Sequence, residues 1–323
     1  MDYTVLRGTG ATVSRICLGT MTFGKQVDEA AAQRLVDMSI DLGINFIDTA
    51  DMYVDGLTEE ILGKCLKGKR DKIVLASKVC NYFGGERNRD EGLHRWHVIR
   101  GIEDCLRRLK VDCLDIAYLH KPDRKTPLEE TLAAFDYLVQ QGKVMYVAMS
   151  NYAAWQMCEA LWTCDKRHWA KPVMMQQPYN LITRSLDVEC VEFSETHNMG
   201  MVVYNALAAG LLTGKHESSS PIAGTRFDYD KGYAKRYWSD TNFDALAELS
   251  SIAKEAGISL HALALQWLKS RPYVDSILLG ASKPEHLEQN VKLFLEGDID
   301  ADTAAACDTV WQKIRGAHFQ YNR

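Results

Sequence analysis

Four side chains, Asp48, Tyr53, Lys78 and His120, are of the types needed to move a proton onto a carbonyl oxygen. A phenol with an ordinary pKa of about 10 becomes a usable proton donor when a neighbouring ammonium stabilises its phenolate. Lys78 can supply that charge, Asp48 would keep Lys78 protonated and oriented, and His120 can hydrogen-bond the reacting carbonyl oxygen or the phenol. None of the four is a hydride donor, so a reduction would need a redox cofactor. Taken singly, each has a commoner structural reading: Lys78 turned to solvent, Asp48 capping a turn, His120 a satisfied histidine before Pro122.

Joint placement is what favours chemistry. Side chains of a barrel strand alternate between the interior and the helix layer. Phe46 and Asp48 share one face, as do Val74, Ala76 and Lys78, and again Ile116, Tyr118 and His120. Three inward apolar rows thus end in polar residues at strand C-termini, with Tyr53 five residues beyond Asp48. The strands that carry them are part of a longer series. Short β-rich runs at 16–18, 45–48, 73–78, 114–120, 144–149, 173–176, 201–204 and 276–279 alternate with amphipathic helical patterns. Asp28 reads as an N-cap before a face of Ala32, Leu35, Val36 and Ser39 that stops at Gly43. Further helices read at 128–140, 153–163, 186–197 and 284–295, the last opening on Pro284. Eight such units predict a closed (β/α)8 TIM barrel, whose strand C-termini converge on the active face.

The 323 residues are then one barrel domain, 1–323, longer than the roughly 250 residues a barrel needs. The surplus falls in three places: an N-terminal hairpin at 2–15 closing the barrel floor, a long loop after strand seven at 211–240, and a C-terminal helix and tail at 298–323. The long loop sits on the active face and reads as a movable cover over a ligand. A net charge of −5 gives no electrostatic basis for nucleic-acid binding. The most apolar stretch, 199–212, is too short to span a bilayer. No basic-then-apolar leader opens the chain, so a cytoplasmic protein with no membrane partner is expected. Nine cysteines without a CxxC pair read as reduced core residues. Gly8-Thr9-Gly10 is a turn rather than a dinucleotide fingerprint. His94 and His97 read as helix-packing or surface residues, with no metal site. Trp96, Trp155, Trp162, Trp169 and Trp311 read as packing residues. Phe23, Met52, Tyr82 and Phe83, joined by Tyr229, Tyr233 or Trp238 from the long loop, predict a partly aromatic substrate pocket.

The motifs Gly43-Ile44-Asn45-Phe46-Ile47-Asp48-Thr49-Ala50 with Tyr53, Ala76-Ser77-Lys78, His120-Lys121-Pro122-Asp123, Ser150-Asn151-Tyr152 and Gly280-Ala281-Ser282 are spread over five strands. In them the chain resembles the aldo-keto reductase family, in its bacterial and potassium-channel β-subunit-like branch. The resemblance implies a catalytic tetrad of Asp48, Tyr53, Lys78 and His120, with Tyr53 as general acid in reduction and general base in oxidation. It also implies NADP(H) extended across the barrel mouth as hydride donor. Ser150, Asn151 and Gln176 match the carboxamide binders, Tyr204 matches the aromatic that stacks on nicotinamide, and Thr20, Met21 and Asp48 complete that end. The run from Asn205 through Leu207, Ala208 and Gly210 to Lys215 resembles a pyrophosphate loop, whose small side chains let backbone amides approach phosphates. Arg226 would add charge there. Gly280, Ser282, Lys283, His286, Gln289 and Asn290 resemble the adenosine-phosphate segment, where Ser and Lys favour NADP over NAD. Ala148, Ala206 and Leu279 depart from residues common in the family.

The leading expectation is an NADPH-dependent oxidoreductase acting on an aldehyde or ketone, sugar derivatives included, and its alcohol. The alternative is an NADP(H)-binding regulatory or scaffold subunit with little turnover, like the potassium-channel β subunits. A carboxylate-based glycosidase would pair Asp48 with Asp115 or Asp123. Strand parity turns Asp115 away from the interior, and neither acid explains an inward Lys78.

Overall fold

The computed structural model describes residues 1–81, 89–217 and 220–316, with Tyr229 described by its backbone. Two of the expected pocket residues, Tyr82 and Phe83, the side chain of Tyr229 and the tail from 317 onward lie outside the described residues.

Strands β1 (Tyr3–Val5) and β2 (Thr12–Ser14) form an antiparallel hairpin. The eight remaining strands are β3 (Ile16–Gly19), β4 (Phe46–Asp48), β5 (Val74–Val79), β6 (Leu114–Leu119), β7 (Val144–Ser150), β8 (Pro172–Pro178), β9 (Gly200–Tyr204) and β10 (Ser276–Gly280). They pair in parallel, β3 through β10 in chain order, and β10 closes on β3. These are the eight expected strands with only their ends shifted. Helices α1 (Glu29–Asp41), α2 (Leu57–Cys65), α3 (Arg95–Leu109), α4 (Leu128–Gln140), α5 (Ala154–Arg167) and α6 (Cys190–Thr196) follow strands β3 to β8 in turn. After β9 come α7 (Arg226–Tyr229), α8 (Lys231–Tyr237), α9 (Asp240–Glu255) and α10 (Leu260–Lys269); after β10 come α11 (Pro284–Leu295) and α12 (Ala301–Ile314).

Local sequence explains most helix bounds. The Asp28 carboxylate accepts from the Ala31 N–H at 2.8 Å, and Ala32, Leu35, Val36 and Ser39 form the buried face of α1. Asp300 and Ser259 cap α12 and α10 the same way. Helix α5 runs four residues beyond its expected end because Cys164 is buried and His168 closes it in the left-handed region at φ 57°. No glycine marked that stop. The single helix expected over 186–197 is instead a 3₁₀ turn (Ser185–Asp187) followed by α6. Asp187 is held by Arg184 Nε at 2.9 Å and by the Tyr179 hydroxyl, which draws that turn out of line. The stretch expected as a loop over 211–240 contains α7 and α8. Phe227, Trp238, Phe243 and the buried His216 pack edge to face beneath it, with centroids 5.0–5.5 Å apart.

Parity inside the barrel follows the sequence pattern. Cys17, Phe46, Ala76, Ile116, Tyr118, Ala148, Met174 and Val202 form an inner cluster, and the hairpin adds Leu6 and Val13 to it. A methyl on Gly200 would meet Leu6 Cδ1 at 2.8 Å, so the first residue of β9 must be small for the hairpin to seal that end. Lys78 stands opposite Tyr118 and Asp48 opposite Ala76, one layer above the apolar plug. A much larger apolar shell lies between the strands and the helices. It takes in six of the nine cysteines; Cys17 is buried in the inner cluster, Cys113 is half-buried and Cys158 exposed, all as free thiols. The tryptophan expectation needs correction. Trp96, Trp155 and Trp162 are 61%, 60% and 63% exposed on α3 and α5, whereas the fully buried tryptophan is Trp267 on α10. A helical position has an outer face as well as an inner one, and residue type alone does not choose between them.

Candidate active site

The interior plug ends in an ion pair. Lys78, at the end of β5, and Asp48, at the end of β4, are each 1% exposed and in direct contact. Lys78 Nζ also donates to the Thr49 carbonyl at 2.8 Å and approaches the Tyr53 hydroxyl at 3.4 Å. The second Asp48 oxygen accepts from Gln176 Nε2 at 2.9 Å. Burial raises the Asp48 carboxyl, against Lys78 and Gln176; burial would lower the Lys78 ammonium, but Asp48 and Tyr53 hold it above its ordinary value. Lys78 is therefore held as the ammonium, and that positive charge faces the phenol.

Tyr53 follows the strand on a turn that passes through the left-handed region at Val54 and Asp55, φ 49° and 53°. A β-branched residue there is unfavourable, so the turn is held by its surroundings. The Tyr53 and His120 rings meet edge to face at 6.2 Å. Desolvation raises the Tyr53 phenol, and Lys78 opposes it without cancelling it, so the group is a protonated acid at neutral pH. His120 is pushed down to about 3 by burial and then by Lys78 and Lys121, so its ring is neutral. Asn81 Nδ2 lies 3.1 Å from His120 Nδ1. An amide NH₂ can only donate, so Nδ1 accepts and Nε2 carries the proton. Asn81 was not foreseen, although it lies three residues past Lys78 where β5 opens onto the active face. Replacing it by Leu should lower kcat for a carbonyl substrate about tenfold, the worth of one orienting hydrogen bond; steady-state kinetics beside a thermal melt would separate this from simple destabilisation.

Asp51 lies next to this group, fully buried, with the backbone N–H groups of Met52 and Cys80 and the charge of Arg108 favouring its ionised form only weakly. Burial first, then the Glu59 carboxylate, raise its pKa well above the usual range. A carboxyl raised on folding is stabilising while protonated, and stability falls as pH climbs from about 4, the unfolded value, through the folded one. Asp51→Asn removes that titration. The melting temperature of the wild type should therefore decline relative to the variant between pH 4 and 8; parallel curves would contradict the assignment.

Above the tetrad opens a cavity of about 640 Å³. Tyr53 and His120 line it, as do Thr20, Met21, Asp48, Ser150, Asn151 and Gln176; Lys78 lies beneath. Asn151, at φ 64°, donates to the His120 carbonyl at 2.9 Å and accepts from the Tyr204 hydroxyl at 2.6 Å. The Ser150 hydroxyl donates to the Gln176 carbonyl at 3.0 Å. Asn205, Leu207, Gly210, Lys215 and Arg226 line the same cavity, and so do Gly280, Ser282, Lys283 and His286. Three expected cofactor residues do not. Ala208 is buried beneath its loop, Gln289 is exposed on α11, and Asn290 is buried and bonded to His261 Nε2 at 2.8 Å. Of the expected pocket residues, Met52 and Tyr233 line the cavity, whereas Phe23 is wholly buried in the core and Trp238 packs under the cover. The covering segment adds Gly224, Thr225 and Arg236 to the lining. Arg236 was missed because nothing in an aromatic-rich loop marks which of its cations lines the cavity.

The lining suits a dinucleotide phosphate. Four cations, Lys215, Arg226, Arg236 and Lys283, face a space whose carboxylate, Asp48, is already paired with Lys78. None of the four forms an ion pair among the described residues. Ala208, Ala209 and Gly210 have successive positive φ of 48°, 59° and 103°, a tight turn in which the Ala208 and Gly210 N–H groups donate to the Asn205 and Leu207 carbonyls at 2.8 Å and which brings Gly210 and Lys215 to the cavity wall. Two alanines there are strained, and Gly210 relieves the third position. The acids of the hydrolytic reading lie elsewhere: Asp115 accepts from the Leu75 N–H and pairs with Arg70, and Asp123 accepts from the Leu93 N–H and Thr126. The ring of His97 is bonded to the Gly92 carbonyl at 2.7 Å, and His94 caps α3.

Residues 15–312 match the model of the aldo/keto reductase family, and the chain belongs to that family. It is 34% identical over 299 residues to a probable voltage-gated potassium channel subunit beta of rice, Oryza sativa subsp. japonica, with 90% of each chain covered. It is 35% identical over 302 residues, again 90% of each, to an uncharacterized oxidoreductase, YrpG, of Bacillus subtilis. No described helix is long and apolar enough to cross a membrane.

Proposed function

We propose that the protein is an NADP(H)-dependent oxidoreductase that interconverts an aldehyde or ketone with its alcohol. The observation that carries this reading is the buried Asp48–Lys78 pair standing behind a protonated Tyr53 at the wall of a cationic cavity. When bound, NADPH would supply the hydride. Asn151, Ser150 and Gln176 would bind its carboxamide, Tyr204 would hold the nicotinamide, Gly210 and Lys215 would bind the pyrophosphate, and Ser282 and Lys283 would bind a ribose phosphate; all line the one cavity. The residues of the chain do the rest. The neutral His120 donates from Nε2 to the carbonyl oxygen, polarising it and fixing its position. Tyr53 gives its proton to that oxygen as negative charge develops, and Lys78 stabilises the phenolate left behind. Asp48 keeps Lys78 charged throughout. Alcohol oxidation runs the same proton path backward. The relation to YrpG, an oxidoreductase by name, favours turnover, and the relation to a probable channel β subunit fits the regulatory-subunit alternative.

Fluorescence titration with NADPH and NADH, followed by NADPH consumption against a carbonyl panel, tests the proposal. Tighter binding of NADPH and turnover of at least one carbonyl are expected. Tight binding with no turnover of any carbonyl would instead favour the regulatory-subunit reading.

A further inference from the structure

The four cations of the cavity fall into separate groups. Lys215 and Lys283 belong to one end: Lys215 Nζ lies 3.9 Å from where a Gly210 Cβ would stand, and both charges act on His286 beside Ser282. Arg236 belongs to the other. Its guanidinium lies 5.2 Å over the Tyr233 ring, which Arg226 also covers at 4.9 Å. Tyr233 is near enough to the catalytic phenol to act on it electrostatically, and Arg236 acts likewise on Tyr204. Arg236 thus lines the cavity with Tyr233 and Tyr53, on an exposed stretch of α8 and stacked on Tyr233, without an ion-pair partner among the described residues. The acid of the lining, Asp48, is spoken for by Lys78.

A guanidinium lining the same cavity as a catalytic acid is unfavourable for a cationic substrate and well suited to an anionic one. It presents a planar fork of donors that match a carboxylate or phosphate, and stacking on Tyr233 fixes its plane. Resting on the reductase reading above, we propose that Arg236 recognises an anionic group on the substrate, so that the preferred substrates are aldehydes or ketones bearing a carboxylate or phosphate. Met52, Tyr53 and Tyr233 would flank the connecting carbons.

The test compares 4-carboxybenzaldehyde with its neutral relative 4-formylbenzamide. The wild type should show a higher kcat/KM for the anion, and the preference should shrink as ionic strength rises. Arg236→Gln should lower the ratio of the two kcat/KM values about tenfold, mainly through KM, and Arg236→Lys should restore part of it. Arg226→Gln should weaken NADPH binding more than it alters the ratio. A ratio unmoved by Arg236→Gln, or an equal loss on both aldehydes, would overturn this inference while leaving the reductase reading standing. Failure of the wild type to turn over either aldehyde or any other carbonyl would sink both.

Discussion

Phenylalanine in place of Tyr53 should lower kcat for carbonyl reduction by about 10³-fold, within the range that a positioned general acid contributes. The ring of Tyr53 stays edge-on to His120 when only the hydroxyl is removed, so the cavity keeps its shape and cofactor affinity should change little. The lost atom is the one that Lys78 approaches at 3.4 Å. The pH dependence has a definite sign. Desolvation outweighs Lys78 and raises the phenol's pKa, so the acid form prevails through neutral pH and the reduction rate should be flat there. His120, titrating at about 3, contributes no break near pH 6 to 7. Oxidation needs the phenolate and should speed up as pH rises. Stopped-flow rates of both directions between pH 5 and 10 check this; a His-like break near pH 6.5 in reduction would show that the ring is not held neutral.

The second large effect is on stability. Lys78→Met leaves Asp48 without its counter-ion in a site 1% exposed, with Gln176 as its remaining side-chain partner. Breaking a buried pair in this way costs about 3–5 kcal/mol, enough to threaten folding of a typical domain. Activity falls as well, since nothing then stabilises phenolate. Adding Asp48→Asn to Lys78→Met removes the stranded carboxyl and should recover much of the stability but none of the activity. Urea melts of the two variants beside kinetics separate the effects. A double variant as unstable as the single one would mean that the loss comes from packing of the lysine stem rather than from charge.

Much of this architecture was legible because it follows from period and parity. The rows Phe46–Asp48, Val74–Lys78 and Ile116–His120 end in polar residues, and the barrel brings those ends together. Caps such as Asp28 and starts such as Pro284 are local signals and were read correctly. What sequence did not disclose depends on tertiary contacts. His168 and Lys110 end helices in the left-handed region without a glycine to announce it. Short helices α7 and α8 lack a long apolar stripe and are held by the aromatic cluster around His216 and Trp238. Asn81 reaches His120 from the loop after a neighbouring strand, and Arg236 lines the cavity through the tertiary placement of α8. The surface position of Trp96, Trp155 and Trp162 has the same origin, since a helix face is assigned by what packs on it.

The central claim is that this chain passes hydride to a carbonyl while Tyr53 delivers the proton. NADPH deuterated at the transferable position of nicotinamide C4, incubated with the protein and an aldehyde, tests it directly. The account predicts one deuterium on the former carbonyl carbon of the alcohol at a rate about 10³-fold slower for Tyr53→Phe. Alcohol formed without the label, or labelled at the same rate by both proteins, would contradict it.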